Sequence, residues 1–155
     1  MDMKLSKLYE DVSNETQFQI KDGEDDTHIT AYNGAEIYGD MVINWVSAGG
    51  YQYEFEGSLG EDDYYELFPD DRFAKIVQLR IGERHRGGGF AKELMNKTLS
   101  MIKERGYDRV YLNANPMGFG GLNINDLVGF YRKFGFEIIP SLDKWEANKE
   151  MYLEL

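Results

Sequence analysis

From residue 28 onward the chain alternates polar and apolar positions with a period of two, then changes to the 3.6-residue period, and this change organises it. HITAYNGAEIYGDMVINWV carries two β-branched and aromatic segments around Asn33-Gly34, the short signal of a hairpin with a primed turn. The pattern predicts strands over 28–32 and 36–46. YQYEFEG alternates aromatic and polar residues and predicts a third strand over 51–57, with SLGEDDYYELFPDD an acidic loop over 58–71. The β-branched content of FAKIVQLRIG predicts a strand over 73–82. Then the period changes. Ala91, Leu94, Met95, Thr98, Leu99 and Ile102 recur on one helical face, and Gly106 stands where a left-handed C-cap belongs, so a helix is expected over 88–105.

DRVYLNANP predicts the next strand, over 108–116. NDLVGFYRKFG places Leu127, Phe130, Tyr131 and Phe134 on one side of a helix over 125–135, opened by Asn125 and Asp126 and closed by Gly135. FEIIP (136–140) and MYLEL (151–155) read as two last strands. Ahead of all this, residues 1–27 hold a weak amphipathic piece, KLSKLYEDV, and a polar run ending in KDGEDD that reads as a turn. Antiparallel strands followed by alternating strands and helices imply an α/β (α+β) fold, a mixed sheet with helices packed on it. We expect one domain over 1–155, with 1–27 a variable N-terminal segment.

Composition narrows the chemistry. The 155 residues are 42% apolar and 14% aromatic, ample for one core. Cysteine is absent, which removes disulfides, thiolate metal clusters and cysteine nucleophiles. A net charge of -11 argues against nucleic acid, whose affinity comes largely from basic groups displacing counterions. A cationic partner fits better, although acidity also serves solubility alone. No apolar run has the length of a membrane span, and MDMKLSKLYEDVS lacks the apolar core of a signal peptide, so a soluble, cytoplasmic protein is expected. Neither KDGEDD nor GEDDYYELFPDD has the alternating oxygen ligands and closing Glu of a calcium loop, so no metal site is expected.

The candidate site is HRGGGFAKELM, residues 85–95, where three glycines stand directly before a helix. A strand, a glycine-rich turn and a helix start bring unpaired backbone N–H groups and the positive helix end together, which attracts phosphate. Arg86 and Arg84 add charge. A plain flexible turn is the rival reading of the triplet. The spacing fits neither a nucleoside-triphosphate loop nor a dinucleotide fingerprint, which would need glycine where Lys92 stands.

Arg86-Gly87-Gly88-Gly89-Phe90-Ala91 resembles the [QR]-x-x-G-x-[GA] pyrophosphate loop of the GCN5-related N-acetyltransferase (GNAT) family. Leu79-Arg80-Ile81 matches the strand pattern ahead of that loop, and Phe130-Tyr131-Arg132-Lys133-Phe134-Gly135-Phe136 matches a pattern like L-Y-E-K-L-G-F after it. The resemblance covers roughly 28–155, leaving out 1–27 and 58–71. It implies a mostly antiparallel sheet with a splay between two parallel strands, flanked by helices, and acetyl-coenzyme A as cofactor. It further implies that the backbone of Leu79 and Ile81 holds the pantetheine arm and that the N–H groups from Arg86 through Gly87, Gly88, Gly89 and Phe90 to Ala91 hold the pyrophosphate. Tyr131 becomes the general acid, its ordinary pKa near 10 lying close to that of a thiol. Without the resemblance, Tyr131 reads as core. The family often has an Asn seven residues before its tyrosine; Ile124 stands there, flanked by Asn123 and Asn125, either of which could substitute.

The base is the departure. Some members carry a Glu in the strand matching VYLNANP, where this chain has Asn113. An amide takes no proton but can orient a water or the amine, so a water relay or a different carboxylate is expected, with Glu54, Glu56 and Glu83 as candidates; His85 is a further one, although its place beside Arg86 suggests a loop position facing solvent or phosphate. The function expected is direct N-acetyl transfer to a primary amine of a cationic small molecule or a peptide. The rivals are a non-catalytic acyl-coenzyme A-binding regulatory or interaction protein, and a loop binding some other phosphate ligand. A monomer or a homodimer is equally compatible.

Overall fold

The computed structural model describes residues 16–116, 123–143 and 147–155. The amphipathic piece KLSKLYEDV lies outside them. Seven strands form one sheet: β1 (Gln17–Asp22), β2 (Asp26–Asn33), β3 (Glu36–Val46), β4 (Phe73–Ile81), β5 (Arg109–Ala114), β6 (Glu137–Ile138) and β7 (Lys149–Glu154). Their order is β1-β2-β3-β4-β5-β7-β6, antiparallel throughout except for the parallel pair β4 and β5. Three α-helices accompany them: α1 (Glu61–Leu67), α2 (Phe90–Glu104) and α3 (Ile124–Arg132). No helix among the described residues is long and apolar enough to cross a membrane.

The sheet separates two cores. On one face the alternate residues Ile29, Met41, Ile76, Leu79, Leu112 and Met151 pack against Leu94, Met95 and Ile102 of α2 and Leu127, Val128 and Tyr131 of α3. The helical period did its work here. Of the residues expected on the inner side of α3, Leu127 and Tyr131 are buried, Phe130 is only partly so, Val128 is buried as well, and Phe134 lies past the helix end. Helix α2 begins at Phe90 rather than at residue 88, because Gly88 and Gly89 are spent on the turn that precedes it. Its C-terminal glycine, Gly106, has φ 80, as expected.

The other face is where the sequence reading needs correction. The segment expected to be a strand over 51–57 is a wide helical turn, Tyr51–Phe55, and the expected loop over 58–71 contains α1. The reason is aromatic packing. Tyr51 and Phe55, and likewise Tyr64 and Phe68, are four apart, which places each pair on one helical side. Phe55, Tyr64, Phe68, Phe73 and Tyr111 then close a second core against the sheet. Local alternation in YQYEFEG lost to that burial. Asp71, with φ 55, locks the segment down: its Oδ1 accepts from the N–H of Tyr51 at 2.8 Å and its carbonyl accepts from Gly50 N–H at 3.0 Å. Strand β1, which the sequence reading took as part of a variable segment, extends the sheet by antiparallel pairing with β2, from Gln17↔Tyr32 to Asp22↔Thr27. QFQIK does alternate, but over one short strand that is exposed on both sides except at Phe18.

Candidate acyl-transfer site

Strands β4 and β5 come together and then part. Their parallel register runs over Ala74↔Val110, Lys75↔Tyr111 and Ile76↔Leu112 and stops. Beyond it β4 stays on β3 as far as Ile81↔Gly39, while β5 stays on β7 as far as Ala114↔Lys149. A bulge marks the divergence: Val42 faces Gln78 and Ile43 faces Ile76, so Val77 is the extra residue on β4. Leu79 and Ile81 therefore lie on the separated half of β4, beside a gap whose strand edges lack each other as partners. An extended ligand chain can pair with such an edge in the manner of an added strand.

The glycine run stands at the end of this half-strand. Gly87 and Gly89 have φ 83 and 85, a conformation that side-chain-bearing residues rarely adopt. A Cβ on either would meet nothing within 4 Å, so the space above them is open. Glu93 is the first residue of α2 whose N–H bonds back, to Gly89 O at 3.1 Å. The N–H groups of Phe90, Ala91 and Lys92 thus lack intrahelical acceptors, which is the condition for binding an anion. Arg86 Nε lies 3.4 Å from the carbonyl of Ile81, tying the loop to the end of β4. Arg86 and Arg80 also line a groove of about 450 Å³ with Tyr38, Asp40 and Glu83.

His85, expected to face solvent or phosphate, is drawn back onto β3. Its Nε2 lies 3.0 Å from Glu36 Oε1, and its ring stands edge-on to Tyr38 at 4.8 Å. Tyr38 in turn stacks on Phe90 at 4.1 Å, so this trio anchors the turn from outside. Glu83 is exposed in the short helical turn Glu83–His85. Asn123 caps α3, its Oδ1 accepting from Asp126 N–H at 2.8 Å, which leaves its amide N–H groups uncommitted to the cap. Asn125 is exposed in the first turn of α3.

Tyr131 is 5% exposed, against Phe130 and Phe136. Burial pushes its pKa up, well above the range of a thiol rather than level with it. On the opposite sheet face, Glu54 sits in the helical turn rather than on a strand, with Oε1 2.7 Å from Lys75 Nζ. Glu56 follows as an exposed residue. A residue that sequence reasoning passed over joins them: Glu150 on β7 accepts a short hydrogen bond from the Tyr111 hydroxyl. Glu150 pairs with Asn113 in register, a relation that no spacing in the sequence reveals. Among the described residues no group of three or more His, Cys, Asp or Glu is placed to hold a metal ion.

The splayed sheet and the glycine-lined helix start beside it agree with what the whole sequence matches. Residues 5–136 match the model of the Acetyltransferase (GNAT) family, and the chain belongs to that family. The match takes in residues 5–27 and 58–71, which the motif resemblance had left out. No curated protein sequence matches the chain. Among solved structures, an acetyltransferase of Bacillus subtilis in complex with coenzyme A is similar at 15% identity and TM-score 0.58, over 91% of this chain and 99% of that one. Naa50 of Arabidopsis thaliana, in complex with the bisubstrate analogue CoA-Ac-MVNAL, is similar at 19% identity and TM-score 0.54, over 83% and 72%. The PaiA N-acetyltransferase of Thermoplasma acidophilum, in complex with coenzyme A, gives 14% and 0.53, over 84% of this chain but only 62% of that one. At these identities the likeness is one of fold.

Proposed function

We propose that this chain transfers an acetyl group from acetyl-coenzyme A directly to a primary amine of a cationic small molecule or a peptide. The observation that carries the reading is the parting of β4 and β5 at Ile76↔Leu112, with open first-turn N–H groups following at the start of α2. The residues present fit the cofactor: the Leu79–Ile81 edge for the pantetheine arm and the N–H groups from Arg86 to Ala91 for the pyrophosphate, with Asn123 and Asn125 as further amides for it. When bound, acetyl-coenzyme A supplies an acyl group activated as a thioester. Gly87 and Gly89 keep side chains out of the cradle, and the bulge at Val77 turns β4 away from β5. With no cysteine in the chain, direct attack by the amine is the simplest route.

Tyr131 is the general acid of this proposal. Its raised pKa keeps the phenol protonated, so it donates a hydrogen bond toward the departing sulfur and gives up its proton only as charge develops there. The acidity of the chain, including Glu61, Asp62 and Asp63 in the first turn of α1, supports a cationic acceptor.

Coenzyme A release measured over polyamines, arylalkylamines and lysine or N-terminal peptides tests the reading. Turnover of at least one amine is expected, with Tyr131→Phe lowering kcat about 100-fold while leaving acetyl-coenzyme A affinity nearly unchanged. Tight cofactor binding with no turnover of any amine would instead identify a non-catalytic acyl-coenzyme A-binding protein.

A further inference from the structure

The reading above leaves open which group takes the proton from the acceptor. Most amines are ammonium ions at neutral pH and cannot attack until one N–H bond is broken. Strand β5 places Asn113 one residue beyond the last parallel pair, at the mouth of the splay, on the sheet face turned away from α2 and α3. Its Oδ1 accepts from Asn148 Nδ2 at 2.9 Å, so it is an amide already engaged by an amide. The carboxylate on that face comes from the neighbouring strand. Glu150 stands opposite Asn113 on β7 and is only partly buried, while the hydroxyl of Tyr111, two residues back along β5, bonds its Oε1.

The charges around it are unequal. Glu54, from the helical turn above Tyr111, is matched by Lys75 of β4 at 2.7 Å. Lys149, beside Glu150 in sequence, is paired with Asp143. Arg109 of β5 is paired with Asp108 and Glu154. Glu150 makes no ion pair among the described residues, and its one side-chain partner is a neutral phenol, itself 1% exposed and held between Phe55 and Phe73. A fixed carboxylate without an ion-pair partner among the described residues, one strand over from the point where β4 and β5 part, complements an ammonium group.

We infer that Glu150 binds the acceptor ammonium and removes its proton, with Tyr111 as the positioning residue that fixes the carboxylate. The inference rests on the transferase reading. In the step, one N–H bond of the ammonium breaks, the nitrogen keeps the electron pair as the attacking lone pair, and an O–H bond forms on Glu150. The neutral acid returns its proton to water after the product leaves. Glu54 also approaches the Tyr111 hydroxyl, but it is matched by Lys75 and takes no proton.

Four proteins decide it: wild type, Glu150→Gln, Tyr111→Phe and, as a control on the same strand as Glu150, Glu154→Gln. With an amine that the wild type acetylates, Glu150→Gln is expected to lose about 100-fold or more in kcat/KM while Glu154→Gln does not. The wild-type rate should level off well below the amine's own pKa; the residual rate of Glu150→Gln should climb with pH toward that value, roughly 10. Tyr111→Phe should shift the wild-type profile by a smaller amount. By calorimetry with coenzyme A present, Glu150→Gln should weaken the amine but not the alcohol of the same shape. Wild-type turnover that Glu150→Gln keeps, with the same pH profile, overturns the assignment while the transferase reading stands. Absence of wild-type turnover on every amine overturns both.

Discussion

Lys75 Nζ lies 2.7 Å from Glu54 Oε1, joining β4 to the helical turn that covers the second core, with both side chains 19% exposed. At that depth the pair is a structural tie rather than a surface ornament. Removing one partner leaves a desolvated charge beneath Tyr111, so Glu54→Gln should lower unfolding stability by about 1–3 kcal/mol in urea titration. Glu54→Gln combined with Lys75→Met should recover part of that loss. If the single variant is as stable as wild type, the pair is not a tie.

The backbone at Gly89 sets the start of α2. With φ 85, alanine there adopts a left-handed conformation at a cost of roughly 1–2 kcal/mol, and its methyl group enters the open space over the first-turn N–H groups. Gly89→Ala should therefore lower Tm by several degrees and weaken coenzyme A in calorimetry. Equal affinity in the variant would place the pyrophosphate elsewhere.

Asn123 tests whether capping and cofactor contact share one side chain. Its Oδ1 accepts from Asp126 N–H at 2.8 Å, and Asn123→Ala should cost about 1 kcal/mol of stability through the lost cap. Asn123→Asp keeps the cap acceptor but loses the amide donors. A fall in coenzyme A affinity for the Asp variant, with stability retained, would separate the two roles.

Asp22 carries a pH signature of stability. Hydrogen bonds from Thr27 and then Arg105 hold its carboxyl below the ordinary carboxylate range. A lowered folded-state pKa stabilises the fold above the unfolded value, near 3.9, and the contribution is lost as pH falls through the folded value. Wild type should exceed Asp22→Asn in urea midpoint at pH 6, and the gap should close on acidification below pH 4. A gap that persists at pH 2.5 would show that the asparagine acts by another route.

Tyr131 predicts an absence on the alkaline side. Because burial raises its pKa, it stays protonated throughout the usual assay range. The pH profile of kcat should show no falling limb from loss of the general acid between about pH 7 and 9.5. An inflection there that Tyr131→Phe abolishes would mean that the phenol ionises in the working site.

The residue pattern alone determined the elements that carry the cofactor site. The strand over 73–82, the glycine turn, the helix starting near 88 and the helix around Leu127 and Tyr131 were legible because each rests on local causes: β-branched content, backbone freedom and helical period. The hairpin at Asn33-Gly34 was legible for the same reason. Tertiary structure decided the rest. YQYEFEG became helical because Phe55, with Tyr64 and Phe68, found Phe73 and Tyr111 across the sheet, and burial outweighed alternation. His85 turned from solvent to Glu36 because β3 brings that carboxylate within 3.0 Å. Glu150 comes beside Asn113 and Tyr111 only through the antiparallel register of β5 and β7, which no spacing along the chain encodes. Local periodicity fixed the segments whose pattern no distant contact opposed; which carboxylate stands beside Asn113 is a long-range pairing, and it exists only once the sheet has closed.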